Sequence, residues 1–196
     1  MQSICFSSGA QRQYRDDIVR ALGMPFGSEL TFRYRLKYVA ESVQRLLKSG
    51  EVRQGDKVLI SYLDQSDRNQ PIFFIPVRFA SLIETPVIGD FVVLRMRVGN
   101  FAHAPDLDTF NRDIQSRSAE VPRWPPADRA SQYAVGSFWV EVNDYPKSVV
   151  ESTSVVDWQT TVGQLVTKKD FDQSGPFYQV VSLEATLSIR VSGQRA

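Results

Sequence analysis

Between Gly55 and Ala102 the chain reads GDKVLISYLDQSDRNQPIFFIPVRFASLIETPVIGDFVVLRMRVGNFA, and this stretch constrains the fold more than any other. It holds three runs rich in branched and aromatic residues, 58–62, 73–82 and 91–98, each bounded by Gly, Pro, Asn or Asp. Such side chains fit a pleated surface and the bounding residues favour turns, so all three runs are read as strands. Gly55-Asp56 and Gly89-Asp90 stand just before two of the runs, where a tight turn needs a residue that takes positive φ without strain. The polar segment 64–70 is too short for a helix and is read as the turn of a hairpin, with a second reversal over 85–90. Three consecutive strands with short connections make a meander. Pro76 cannot donate to a ladder, so the middle strand must be an edge or be bulged there.

Flanking sequence adds helices. Residues 3–6 form a short apolar run ended by Ser7-Ser8-Gly9. Tyr14, Ile18 and Leu22 then recur at four-residue spacing until Gly23 and Pro25, which predicts an amphipathic helix. Residues 30–37 alternate: Phe32, Tyr34 and Leu36 point one way, Arg33, Arg35 and Lys37 the other. Over 38–47 the period becomes helical, with Val39, Val43, Leu46 and Leu47 in one stripe and Gly50 as the cap. The expected class is α+β and β-rich: a mainly antiparallel sheet or small barrel, two N-terminal helices, and further C-terminal strands.

Residues 1–102 are expected to be an α+β core, with the meander over 55–102. Residues 103–136, with Pro105, Pro122, Pro125 and Pro126, are expected to be a connecting loop holding a short helix over 107–114. A loop of that length is usually functional. Over 137–196 the strand signal returns at 138–143, 149–158 and 177–191, either extending the core sheet or forming a small second subdomain. The end, SIRVSGQRA, is where a linker to a further domain is expected to begin.

With 196 residues the chain can bury roughly 70% of its unfolded surface without a staple. Twenty-three basic residues nearly balance 22 acidic ones, so an anionic partner needs a local patch rather than a global field. Cys5 is the only cysteine, which excludes an internal disulfide and suits a cytoplasmic location. The N-terminus lacks the basic and apolar regions of a secretory signal, and no run reaches the length of a membrane span. No membrane association is expected.

The patch that the sequence offers is a set of arginines. Arg33 and Arg35 lie on the outward side of one strand, Arg95 and Arg97 on that of another, and Arg78 on a third. Were these strands neighbours, five guanidiniums would share a surface able to fork onto phosphates. Tyr34, Tyr62 or Trp139 at its rim would add stacking platforms. The alternative is a solvated face paired with Glu29, Glu84, Asp90 or Glu141. Trp124, between prolines, is the candidate protein contact, since Trp and Arg dominate interface energetics.

Other chemistry is poorly served. Arg12 follows Cys5 by seven positions, one too many for a phosphatase-type loop, and Cys5 reads as a buried strand residue. His103 is the sole histidine, and no local signature pairs it with Cys5. Asp106, Asp108 and Asp113 sit at an expected helix start, while Asp64 and Asp67 sit in a turn. Neither a metal nor a cofactor is expected. The strand, helix and Gly-Asp-Lys-Val-Leu-Ile strand between Phe32 and Phe101 resemble the layout of the small PUA, ASCH and EVE pseudo-barrels, which read RNA or modified DNA bases. The resemblance assigns no residue, and layout alone does not carry function. The reading is a non-catalytic binding module for nucleic acid or another polyanion. Its alternatives are a protein-interaction or sensor domain of a larger cytoplasmic protein and, last, an unrecognised enzyme.

Overall fold

A computed structural model describes residues 1–8, 12–64, 73–117, 121 and 137–154. The three central runs are strands β3 (Lys57–Asp64), β4 (Phe73–Glu84) and β6 (Phe91–His103), with a two-residue strand β5 (Val87–Ile88) folded against β6. Gly55 and Gly89 take φ of 89° and 58°, as the turns before β3 and β6 require. Before β3 come β1 (Gln2–Ser8), α1 (Arg12–Gly23), β2 (Glu29–Arg35), a 3-10 turn (Leu36–Tyr38) and α2 (Glu41–Ser49). After β6 come α3 (Leu107–Arg117), β7 (Ser137–Val142) and β8 (Val150–Ser152). The expected strands over 155–158 and 177–191, and the turn at Asp67, lie outside the described residues.

The sheet runs in the order β2-β6-β4-β3-β1-β7, with β5 and β8 also paired to β6. It is mixed rather than simply antiparallel, because β1 lies parallel to β3. That pairing follows from connectivity. The chain leaves β1, crosses through α1, β2 and α2, and re-enters beside it, which only a long crossover permits. The described part carries three α-helices: the two N-terminal ones expected, and α3, which is longer than the short helix expected over 107–114.

The sheet curls into a half-barrel. Tyr34 on the first strand of the order donates its hydroxyl hydrogen to the Phe6 carbonyl on the fifth, at 3.4 Å. Past β2, the Ala40 N–H reaches the Trp139 carbonyl on β7 at 2.9 Å, and Val39 forms a parallel bridge there. Val39 thus belongs to this seam and not to the helical stripe of α2. Irregular pairing allows the bending. Val77 is the extra residue where Ile60 faces Arg78 and Ser61 faces Pro76. Pro76 accordingly sits at a bulge, paired to β3 but ahead of the first β6 partner at Arg78. A second bulge falls at Gly99, where a Cβ would stand 2.8 Å from the Phe79 carbonyl oxygen.

Cross-strand partners share a face. Cys5, Ile60, Leu82, Met96, Phe32 and Tyr34 line the concave side, where α1 lodges Ile18, Ala21 and Leu22 against β1, β2 and β4. The convex side holds Thr31, Arg33, Arg35, Arg95 and Arg97 on β2 and β6. Farther along, α3 packs against β4 and Tyr145 against Phe79. Among the described residues no helix is long and apolar enough to cross a membrane.

Candidate functional site

Alternation along β2 buries Leu30, Phe32 and Tyr34 and turns Thr31, Arg33 and Arg35 outward. Register with β6 then decides what the two arginines meet. Arg33 faces Val93 and Arg35 faces Phe91, so neither has a carboxylate across the strand. Their guanidinium carbons lie 3.8 and 5.6 Å from the centre of the Phe91 ring. A cation over a ring face is held by the ring quadrupole, and a stacked guanidinium keeps its N–H edge available for a bidentate anion. Neither arginine makes an ion pair among the described residues.

Helix α1 forms the facing wall. Tyr14, Asp16, Asp17 and Arg20 close a cleft of about 530 Å³ with Thr31, Arg33, Arg35 and Phe91. Its floor is the outer backbone edge of β2. Leu36 spends its N–H on Asp90 of the β6 side, at 2.8 Å, whereas the Thr31 carbonyl points away and accepts Arg20 Nη2 at 3.4 Å. Strand alternation therefore directs the backbone N–H groups of Arg33 and Arg35 to the same edge.

Asp17 carries the cleft inward. Its carboxylate accepts a hydrogen bond from Arg20, yet burial outweighs that partner and pushes its pKa up to about 6. Behind it lie Tyr34 and Cys5. Burial pushes the Cys5 thiol up, and the Tyr34 hydroxyl beside it is raised by the same cause. Thiolate is the reactive form, so Cys5 is an interior packing group at neutral pH. His103 ends β6 opposite Val150. Asp106 caps α3, its Oδ1 accepting the N–H groups of Asp108 and Thr109 at 3.0 and 3.1 Å; the Thr109 hydroxyl also donates to it and holds its pKa down.

The five sequence-selected arginines do not form one patch. Arg95 donates to Glu29 at 2.8 Å and to Glu84 at 2.5 Å, which fixes its charge but leaves it neutralised. Arg78 is buried on the other side of the sheet, over the Phe101 ring at 3.8 Å and bonded to the Met24 carbonyl at 3.1 Å, just beyond the C-terminal end of α1. The single-residue period carried across the bulge at Val77 would have turned it outward. Arg97 is exposed on the convex face but opens into a different groove. Tyr34, Tyr62 and Trp139 are all buried and supply no rim platform. Trp124 lies outside the described residues. Several cleft residues escaped the sequence reading, among them Arg20, whose only mark is its spacing three residues after Asp17, and Phe91, whose role needs the β2–β6 register.

The chain matches no protein-family model, no curated protein and no solved structure.

Proposed function

We propose that the protein is a non-catalytic binding module that holds nucleic acid or another polyanion in the cleft between α1 and β2. The observation carrying this reading is the pair Arg33 and Arg35, stacked on Phe91 with no carboxylate partner among the described residues. The two side chains project from alternate residues of one strand, roughly 7 Å apart, so they can follow successive phosphates of an extended backbone. Arg20 stands at the opposite wall, paired with Asp17, and the cleft's lining holds three arginines against two aspartates. The location proposed for such a module is the cytoplasm.

Single-stranded oligonucleotide titrated over a range of salt tests the reading. Binding should weaken with salt at a slope near 0.7 per phosphate contacted, and Arg33→Glu with Arg35→Glu should lower that slope by about 1.4. Salt-independent binding, or binding that survives the double reversal, sinks it.

A further inference from the structure

A second groove opens on the convex face, about 550 Å³ in volume, and it shares no lining residue with the α1–β2 cleft. One cross-strand row supplies its polar wall. Lys57 on β3 faces Ser81 on β4, and Ser81 faces Arg97 on β6. Neighbouring strands lie about 4.8 Å apart, so the two cations stand on backbones about 10 Å apart with a hydroxyl midway between them. Side chains of that length are long enough to reach one oxyanion placed above Ser81.

Both cations have lost their natural acids. Asp56, next to Lys57, is bound to the Met1 ammonium at 2.6 Å and to the Arg53 N–H at 2.8 Å. Glu29, cross-strand from Arg97, is taken by Arg95. The acidic side chain in the lining, Glu151, accepts a hydrogen bond from Asn100 at 3.0 Å. Apart from Gln2, the rest of the wall is apolar and carries three aromatic rings. Phe79 and Tyr145 meet edge to face at 5.6 Å, Tyr145 is pinned through its hydroxyl to the Ser3 carbonyl at 3.3 Å, and Val149 flanks them. At the rim stands Phe26, 71% exposed and covered by nothing described.

From this juxtaposition we propose that the groove binds a small aromatic anion. Its phosphate or carboxylate is held by Lys57 and Arg97 over Ser81, and its ring lies against Phe79, Tyr145 and Phe26. Aromatic walls and two cations with no ion pair among the described residues favour a ligand that is flat at one end and charged at the other. Neither end alone satisfies the site. An inorganic anion leaves the rings exposed, and a neutral ring leaves the cations unused.

Calorimetric titration of the full chain with phenyl phosphate tests this, with inorganic phosphate and phenol as the half-ligands. Saturable binding of phenyl phosphate is expected, with each half-ligand at least about tenfold weaker. Lys57→Gln and Arg97→Gln, both at exposed positions that leave the core intact, should each cost about tenfold, the loss of one charge-assisted hydrogen bond. Arg33→Glu with Arg35→Glu should leave the affinity unchanged, which separates this groove from the polyanion cleft. A nucleoside monophosphate binding like phenyl phosphate identifies the occupant as a nucleotide; its exclusion restricts the site to smaller rings, and either result keeps the proposal. It is overturned by absence of saturable binding, by equal binding of either half-ligand, or by indifference to both glutamine variants.

Discussion

Asp17 is the residue at which the cleft, the interior and the pH of the solution meet. Its carboxylate is nearly enclosed, and burial raises its pKa to about 6, against about 3.9 in an unfolded chain. The native state therefore holds this proton more tightly than the unfolded state does. Its contribution to stability is fully present below about pH 4 and is lost as pH rises through about 6, for a cost of at most about 3 kcal/mol at neutral pH. Asp17→Asn removes the titration. Denaturant unfolding should show the variant gaining on wild type as pH rises from 4 to 7, less the contribution of the lost Arg20 partner. A difference independent of pH over that window would mean that Asp17 is solvated. The same residue explains why the cleft was hard to read: at the level of sequence, Asp17 is one acid among 22 in a charge-balanced chain. Arg95 makes the converse point, since it shares the alternation of Arg97 and becomes inert only because Glu29 and Glu84 converge on it from two other strands.

At the scale of elements, the helix that joins the two halves of the sheet is anchored by one amide. Asn111 on α3 is buried, accepts the Phe74 N–H at 2.7 Å and donates to the Phe74 carbonyl at 2.9 Å. It supplies the start of β4 with what a neighbouring strand would have given. Asn111→Ala leaves two buried backbone groups without partners and should cost roughly 2–5 kcal/mol, while Asn111→Asp, which sets a buried carboxylate oxygen against the Phe74 and Leu107 carbonyls, should cost more. Equal losses in thermal unfolding would show that α3 is held by Phe110 and Ile114 instead. Nothing in DLDTFNRDIQ marks Asn111 as different from any polar residue of an amphipathic helix, because its partner is 37 residues away. Strands were far more legible. The runs that became β3, β4 and β6 carry their period in adjacent residues, and Gly50 and Gly55 announce their left-handed turns. What local sequence does not encode is pairing. The parallel placement of β1 against β3, and the bulge that buries Arg78, both depend on partners brought in by the curl of the sheet.

On the scale of the whole molecule, the half-barrel closes at a single described seam, and the proposed polyanion cleft depends on it. Residues Val39 and Ala40, after the 3-10 turn Leu36–Tyr38 that follows β2, join β7 through Trp139, a fully buried side chain whose indole N–H meets no acceptor among the described residues. Trp139 thus contributes by filling volume and not by hydrogen bonding. Trp139→Ala should cost about 3–5 kcal/mol, whereas Trp139→Phe keeps most of the apolar contact and discards an unsatisfied donor, so it should cost distinctly less. The position of the seam adds a functional consequence. β2 is held on one side by β6 and at its end by this bridge, and α1 rests in the concavity between them. Loosening the bridge lets β2 shift against α1 and spreads Arg33 and Arg35 from Arg20. Oligonucleotide binding should accordingly weaken in Trp139→Ala at a temperature where the variant is still folded, with faster amide exchange at Val39 and Ala40, and recover in Trp139→Phe. Binding that tracks the cation count alone, indifferent to Trp139, would place the polyanion on the flat outer face of β2 and β6 without help from the helix.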